Sequence, residues 1–176
     1  WGNIGVAFVR PVQWVLALLR GEVIPFEMAG VRSSNTTRGH RFMAPEVKAV
    51  SDAQDYFKKM EKGFIIIDPQ ERERIVEQVA EDEAKRVGGR PGQDPELVKT
   101  VANLVEHPSA VCGSFDEAFL DLPDPVLVTA MKEHQKYFAI YDENDQLMPN
   151  FVAINNTVVR DEAVVRRGHE RVLRAR

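Results

Sequence analysis

A single cysteine, Cys112, in 176 residues excludes an internal disulfide and fits a reducing compartment. Its setting, Ala110-Val111-Cys112, reads as a small buried hydrophobe and not a nucleophile. Long hydrophobic runs are also missing. The stretch from Trp14 to Leu19 falls far short of the roughly 20 residues a membrane span needs. No basic and then apolar leader with a small-residue cleavage site opens the chain, so a cytoplasmic protein with no membrane partner is expected. Phosphate-loop, GxSxG, GxGxxG and HExxH patterns are all absent. Histidines are few, and His40, His107, His134 and His169 stand far apart, without the close spacing of a closed metal site. No catalytic residue, metal or cofactor is expected within this chain. It begins on Trp1, and residues 161–176 read as a helix without a stop signal, so both ends are expected to be boundaries inside a longer protein.

What is present suits a soluble domain of ordinary size, 44% hydrophobic and 28% charged. The net charge of −4 hides an uneven spread. Residues 1–50 carry +3 and residues 158–176 another +3, which leaves −10 for the stretch between. Two basic ends around an acidic centre would let a polyanion approach one face only, or each set is a solvated surface.

Elements follow from pattern and punctuation. Trp14 to Leu19 and Glu22 to Met28 about Arg20-Gly21 predict a hairpin, with Pro25 forcing an edge or a bulge. Residues 33–40 are polar and predict a loop. Capping patterns at Ser51 to Gln54, Asp68 to Glu71 and Asp94-Pro95 start three helices, with a short buried strand at Phe64 to Ile67 between the first two. Further on, strands are predicted at Ala110 to Phe115, Tyr137 to Tyr141 and Phe151 to Ile154. A helix is expected from Pro125 to about Glu133 and another from Asp161. Strands at both ends with helices in the middle favour an α+β fold with mixed or antiparallel sheets.

Three segments could carry binding chemistry. Ser33 to Phe42 holds hydroxyls, the guanidiniums of Arg38 and Arg41, the His40 imidazole and an aromatic ring. Arginine offers a planar fork to phosphate, and Phe42 could stack on a base. The alternative is a hairpin loop whose Phe42 enters the core. His134 and Lys136, beside Tyr137 and Phe138, could bind phosphate or a carboxylate, or lie solvated beside core aromatics. In the final helix, Arg167, Arg171 and Arg174 share one face through i, i+4, i+7 spacing, with Arg166, His169 and Arg176 nearby. Such a face can track an RNA backbone, contact another domain or pair with the acidic middle of the chain.

Six stretches together carry a family resemblance: Phe8-Val-Arg-Pro-Val-Gln-Trp14, Gly21-Glu-Val-Ile-Pro-Phe26, Asn35-Thr-Thr-Arg-Gly-His-Arg-Phe42, Glu133-His-Gln-Lys-Tyr-Phe138, Pro149-Asn-Phe151 and Arg171-Val-Leu-Arg-Ala-Arg176. In this order they resemble the β-subunit of bacterial heterotetrameric (α2β2) glycyl-tRNA synthetase. One departure is His169, where the family would be expected to carry asparagine. The resemblance implies an aminoacyl-tRNA synthetase that uses ATP and Mg to ligate glycine to its tRNA, with the active site on the α-subunit. This stretch would lie ahead of an HD-type domain and of the anticodon-binding domain. Residues 1–160 would form an α+β domain similar in type to the editing-like domain of the phenylalanyl-tRNA synthetase β chain. Residues 161–176 would begin a basic helix leading to the next domain. Implied partners are glycine tRNA, the α-subunit and other β-subunit domains, with Arg38, His40, Arg41, His134, Lys136, Arg167, Arg171 and Arg174 as candidate tRNA contacts. The other roles open to it are an interaction scaffold without RNA contact, or a hydrolase with His40 or His134 near a threonine. An editing pocket must reject the cognate residue, and glycine is already the smallest, so editing is not expected.

Overall fold

Most of the described helices begin where a carboxylate can accept the amides that a first turn leaves free. In the computed structural model, which describes residues 12–175, Asp52 accepts from the Asp55 amide at 2.9 Å and opens α1 (Ala53–Lys62). Ser51, the expected start, instead donates its hydroxyl to Asp52 and Asp55. Asp68 opens α2 (Pro69–Arg86) and Asp94 opens α3 (Pro95–Ala102), each with a proline in the first turn. Gly88, at φ +80°, ends the run that α2 began.

The chain divides into two compact units, Trp1–Ile67 and Asp68–Arg176. Residues 8–11, part of the first matching stretch, lie outside the described residues, as does Arg176. Strands of the first unit are short: β1 (Val15–Leu16), β2 (Leu18–Leu19), β3 (Glu22–Val23), β4 (Glu27–Met28), β5 (Val31–Ser34), β6 (Thr36–Arg38) and β7 (Val47–Ala49). β2 and β3 make the expected hairpin about Arg20-Gly21, β4 and β5 make a second, and β1 runs parallel to β5. Pairing lapses around Pro25, which has no amide to donate.

Two expectations give way in this unit. Residues 33–40, read as a loop, are mostly strand, because their hydroxyls stand in for missing ladder bonds. Ser33 Oγ donates to the Ile24 carbonyl (2.6 Å) and accepts from the Phe26 amide (2.9 Å), bridging the gap at Pro25. Thr36 to Arg38 then pair with β7. Phe64 to Ile67, read as a strand, pairs with no strand among the described residues: Phe64 takes a positive φ of 59° after Gly63, and the Ile65 amide turns back to the Met60 carbonyl at the end of α1.

The second unit is built on one antiparallel sheet in the order β8 (Arg90–Pro91), β10 (Phe138–Tyr141), β11 (Leu147–Asn156), β9 (Pro108–Ser114). Strand alternation sends Phe138, Ile140 and Val152 to one face, against Val76, Ala80 and Ala84 of α2 and Leu97, Val98 and Val101 of α3. Val111, Ala139, Leu147, Phe151 and Ala153 face the other way. There they meet Leu127 of α4 (Asp124–Thr129), Met131 of the π-helical turn Ala130–Gln135, and Val165 and Leu173 of α5 (Glu162–Arg174). The helix expected from 125 to 133 is thus split, its second half wound as the π turn. The fold is α+β, with a sheet covered on both faces.

β9 is an edge strand, and two of its outward amides are occupied. Cys112 N–H donates to the buried carboxylate of Glu83 on α2 (3.1 Å), and Ser114 N–H donates to Glu170 on α5 (3.1 Å). Arg86 bridges Glu83 (2.7 Å) and Glu162 (3.6 Å), joining α2 to α5 around that edge. Two carboxylates from different helices therefore close a surface that would otherwise invite another strand.

Phe151, fully buried, fixes how the second face packs. Its ring stacks under Tyr137 at 4.7 Å and lies across Gly113, where a Cβ would come within 2.5 Å of the ring. Gly113→Ala is therefore expected to cost about 1–3 kcal/mol by overpacking. Adding Phe151→Leu should recover part of that loss, since it removes the ring that the methyl strikes. Urea denaturation of the single and double variants checks both; equal stability of Gly113→Ala and the parent would refute the packing.

Candidate functional site

The Arg/His segment of the first unit is a built turn. His40 is 1% exposed, and its amide donates to the Gly63 carbonyl at 2.7 Å. Its Nδ1 accepts from the amides of Phe42 (3.2 Å) and Met43 (3.3 Å), and its carbonyl accepts from Ala44 (2.9 Å). Gly39 is needed because a Cβ there would come within 2.8 Å of the Gly63 and Ala44 carbonyls. His40 is thus the internal brace of the turn. Arg41 and Phe42 are exposed, and Phe42, which could have entered the core, is 75% exposed. Arg38, exposed on β6, reaches the Pro45 carbonyl (3.4 Å) with its guanidinium 5.9 Å over the Trp14 ring.

His134 and Lys136 end the π turn. His134 is exposed. Lys136 adopts a left-handed backbone (φ 58°), and its Nζ folds back to the Glu133 carbonyl (3.1 Å) with the Glu133 carboxylate at 3.8 Å. It stops the helix and is partly neutralised.

On α5, opened by Asp161 at the Val164 amide (3.0 Å), helical period separates two faces. Val165, His169 and Leu173 turn toward the sheet, while Arg167, Arg171 and Arg174 are exposed. Among the described residues, these three arginines and Arg41 form no ion pair, nor does Arg38. Arg32, Lys48, Lys59, Arg74, Lys85, Arg86, Arg90 and Lys132 each meet a carboxylate, whereas Arg20, Lys58, Lys62, Lys99, Arg160 and Arg166 are also exposed with no ion pair among the described residues.

Sequence reasoning gave His169 no role beyond its departure from the family, and the fold gives it one. Its Nε2 lies 3.1 Å from Asn155 Oδ1 and its Nδ1 2.8 Å from the Tyr137 hydroxyl. A carbonyl facing Nε2 assigns the ring proton there, so Nδ1 accepts from Tyr137. Burial holds His169 below its ordinary value and pushes Tyr137 up, so both stay neutral. Only an i, i+4 relation with Val165 and Leu173 hinted at this inward position. Cys112 is half-buried, and burial followed by the Glu83 charge raises its thiol to about 11, leaving it inert at neutral pH.

Two cavities lie in the second unit. An apolar cleft of about 210 Å³ is bounded by Phe115, Phe119, Leu127, Met131 and Leu173, with Glu170 and Arg174 at its edge. A more open one of about 480 Å³ is lined by Tyr141, Arg90 and Lys132, whose charges are met by Asp145 and by Asp94 (2.6 Å). Burial acts to raise the Asp94 carboxyl, but Lys132 and the Leu97 amide outweigh it and hold it below the usual range. Neither cavity is lined by His40 or His134, which a hydrolytic site would require.

Comparison with known proteins gives one consistent result. All of residues 1–176 match the family described as glycyl-tRNA synthetase beta subunit. The chain is 49% identical over its whole length to the glycine–tRNA ligase beta subunit of Syntrophus aciditrophicus. It is 50% identical to that of Desulfatibacillum aliphaticivorans and 46% to that of Geotalea uraniireducens. It spans 26% of each relative, about a quarter of their length.

The His169 contacts have a pH signature. A histidine held below its ordinary 6.5 binds a proton less readily folded than unfolded. Acid therefore favours unfolding, and stability present at neutral pH is lost as pH falls below about 6.5. Urea midpoints at about pH 7.5 and about pH 5.5 should differ less in His169→Asn than in the parent. An unchanged pH dependence in the variant would remove His169 as its source.

Proposed function

The chain belongs to the glycyl-tRNA synthetase β-subunit family, and we propose that it serves as a non-catalytic, tRNA-contacting domain of such an enzyme. In this reading it supports ATP-dependent ligation of glycine to its tRNA in the cytoplasm, within an α2β2 assembly. ATP and Mg act at the active site on the α-subunit, and this chain carries neither. Its α+β architecture is taken to be similar in type to the editing-like domain of the phenylalanyl-tRNA synthetase β chain, put here to a structural and RNA-contacting use.

The observation that carries this reading is the grouping of exposed arginines on two elements. Arginines at the turn (Arg38, Arg41) and on the outer face of α5 (Arg167, Arg171, Arg174) are exposed without a carboxylate partner among the described residues, one group on a braced turn and the other on a single helix face. Exposed unpaired guanidiniums are suited to phosphate, whose neutralisation releases counterions and makes binding salt-dependent. His134 is an auxiliary contact, and Lys136 a weaker one because Glu133 already holds it. His40 acts through the turn it braces and does not itself touch RNA.

A second reading has its own observation. Leu19, Ile24, Phe26, Met28, Val47 and Phe57 are large apolar side chains exposed on the first unit. Such a surface suits contact with the α-subunit or other β-subunit domains. Apolar contacts on one part of the unit are compatible with RNA contacts on another.

Titrating glycine tRNA against the complete synthetase at two salt concentrations tests the first reading. Arg38→Ala with Arg41→Ala should weaken binding and reduce the slope of log affinity against log salt by about one unit for each arginine removed. An unchanged affinity and slope, in this pair and in the Arg167/Arg171/Arg174 triple alanine variant, would leave the scaffold reading.

A further inference from the structure

We infer that the turn bearing Arg41 and Phe42 is a stacking platform for one unpaired nucleotide, Phe42 taking the base and Arg38 and Arg41 its flanking phosphates. This rests on the tRNA-contacting reading and narrows it to single-stranded RNA at that turn.

The turn is anchored at both ends and open between them. His40 and Ala44 are buried, and one imidazole nitrogen takes the amides of Phe42 and Met43. That bracing fixes the backbone at Phe42 yet leaves its ring 75% exposed, tilted 55° to the His40 ring at a centroid distance of 6.0 Å. An exposed phenylalanine adds nothing to this unit's core, and the turn would close equally well with a polar residue there. Rigid placement of a bare aromatic face is what stacking requires, because little ordering remains for the moment of binding.

The surroundings select the ligand. Arg41 follows directly on the buried brace and meets no acid among the described residues. Arg38 spans the turn to Pro45, with its guanidinium over the exposed edge of Trp14. Cations beside a free π-face match a nucleotide, which offers a flat ring and anionic linkages together. A duplex keeps its base faces stacked inside and offers only phosphates, so it would engage the arginines alone. An apolar protein surface would use Phe42 and gain nothing from two unpaired guanidiniums.

The test uses the complete synthetase with a short single-stranded RNA carrying 2-aminopurine, and a blunt RNA duplex as comparison. Phe42→Ala should weaken single-strand binding roughly 5- to 150-fold and abolish the 2-aminopurine quenching. Phe42→Trp should retain both, and duplex binding should not change in either variant. Because Phe42 is exposed, its variants should melt with the parent, which separates loss of stacking from loss of fold. If Phe42→Ala leaves single-strand binding and quenching intact while Arg38→Ala/Arg41→Ala weakens RNA binding, the platform is wrong and the tRNA-contacting reading stands. If neither variant affects RNA, the platform fails, and the tRNA-contacting reading then stands or falls with the Arg167/Arg171/Arg174 variant. If Phe42→Ala spares RNA binding but loosens subunit association, the ring is a protein contact and the inference is overturned.

Discussion

Phe151 is the side chain on which the second unit turns. It is fully buried, stacked under Tyr137 and seated on a glycine that must stay bare. Tyr137 carries the stack outward to His169 on α5, and His169 passes it back to Asn155 on β11. A single ring thereby connects β9, β11, the residue after the π turn and the C-terminal helix. Because interiors are packed to crystal-like density, a change of one methyl at Gly113 would be felt along that whole line.

The same helix is held a second time by charge. Glu170 takes an outward amide of β9, and Arg86 reaches Glu162 from the partner helix of the edge. With Val165, His169 and Leu173 turned to the sheet and Glu170 bonded to β9, Arg167, Arg171 and Arg174 lie on the exposed side of α5, together with Val164 and Val172. Its exposed positive face is therefore a consequence of how it packs. In the first unit the buried His40 does comparable work, holding Arg41 and Phe42 outside by fixing the backbone on either side of them.

Much of this was readable in advance. Asp68-Pro69 and Asp94-Pro95 announce their helices because capping is local chemistry, decided within a few residues. Apolar positions on α2 and α3 are likewise legible from helical period, since Val76, Ala80, Leu97, Val98 and Val101 are buried. Residues 33–40 mislead because Ser33 and Thr36 are turn formers in isolation, while here the Ser33 hydroxyl bridges the gap at Pro25 and Thr36 pairs with β7. Phe64 to Ile67 pairs with no strand among the described residues, because Phe64 turns the chain back onto the end of α1.

The sequence by itself determined the helix starts, the β2–β3 hairpin, the α+β class and the family, because these rest on local hydrogen bonding and on ordered short stretches of residues. It also determined which residues could bind a polyanion, since charge and hydrogen-bonding capacity belong to side chains. Tertiary structure alone decided which of them face outward. His40 and Arg41 are neighbours in sequence, yet one is buried by two amides and the other left in water. His169, five residues before an exposed arginine, is turned inward by contacts 32 and 14 positions away. Burial is a property of long-range packing, and no window of sequence contains it.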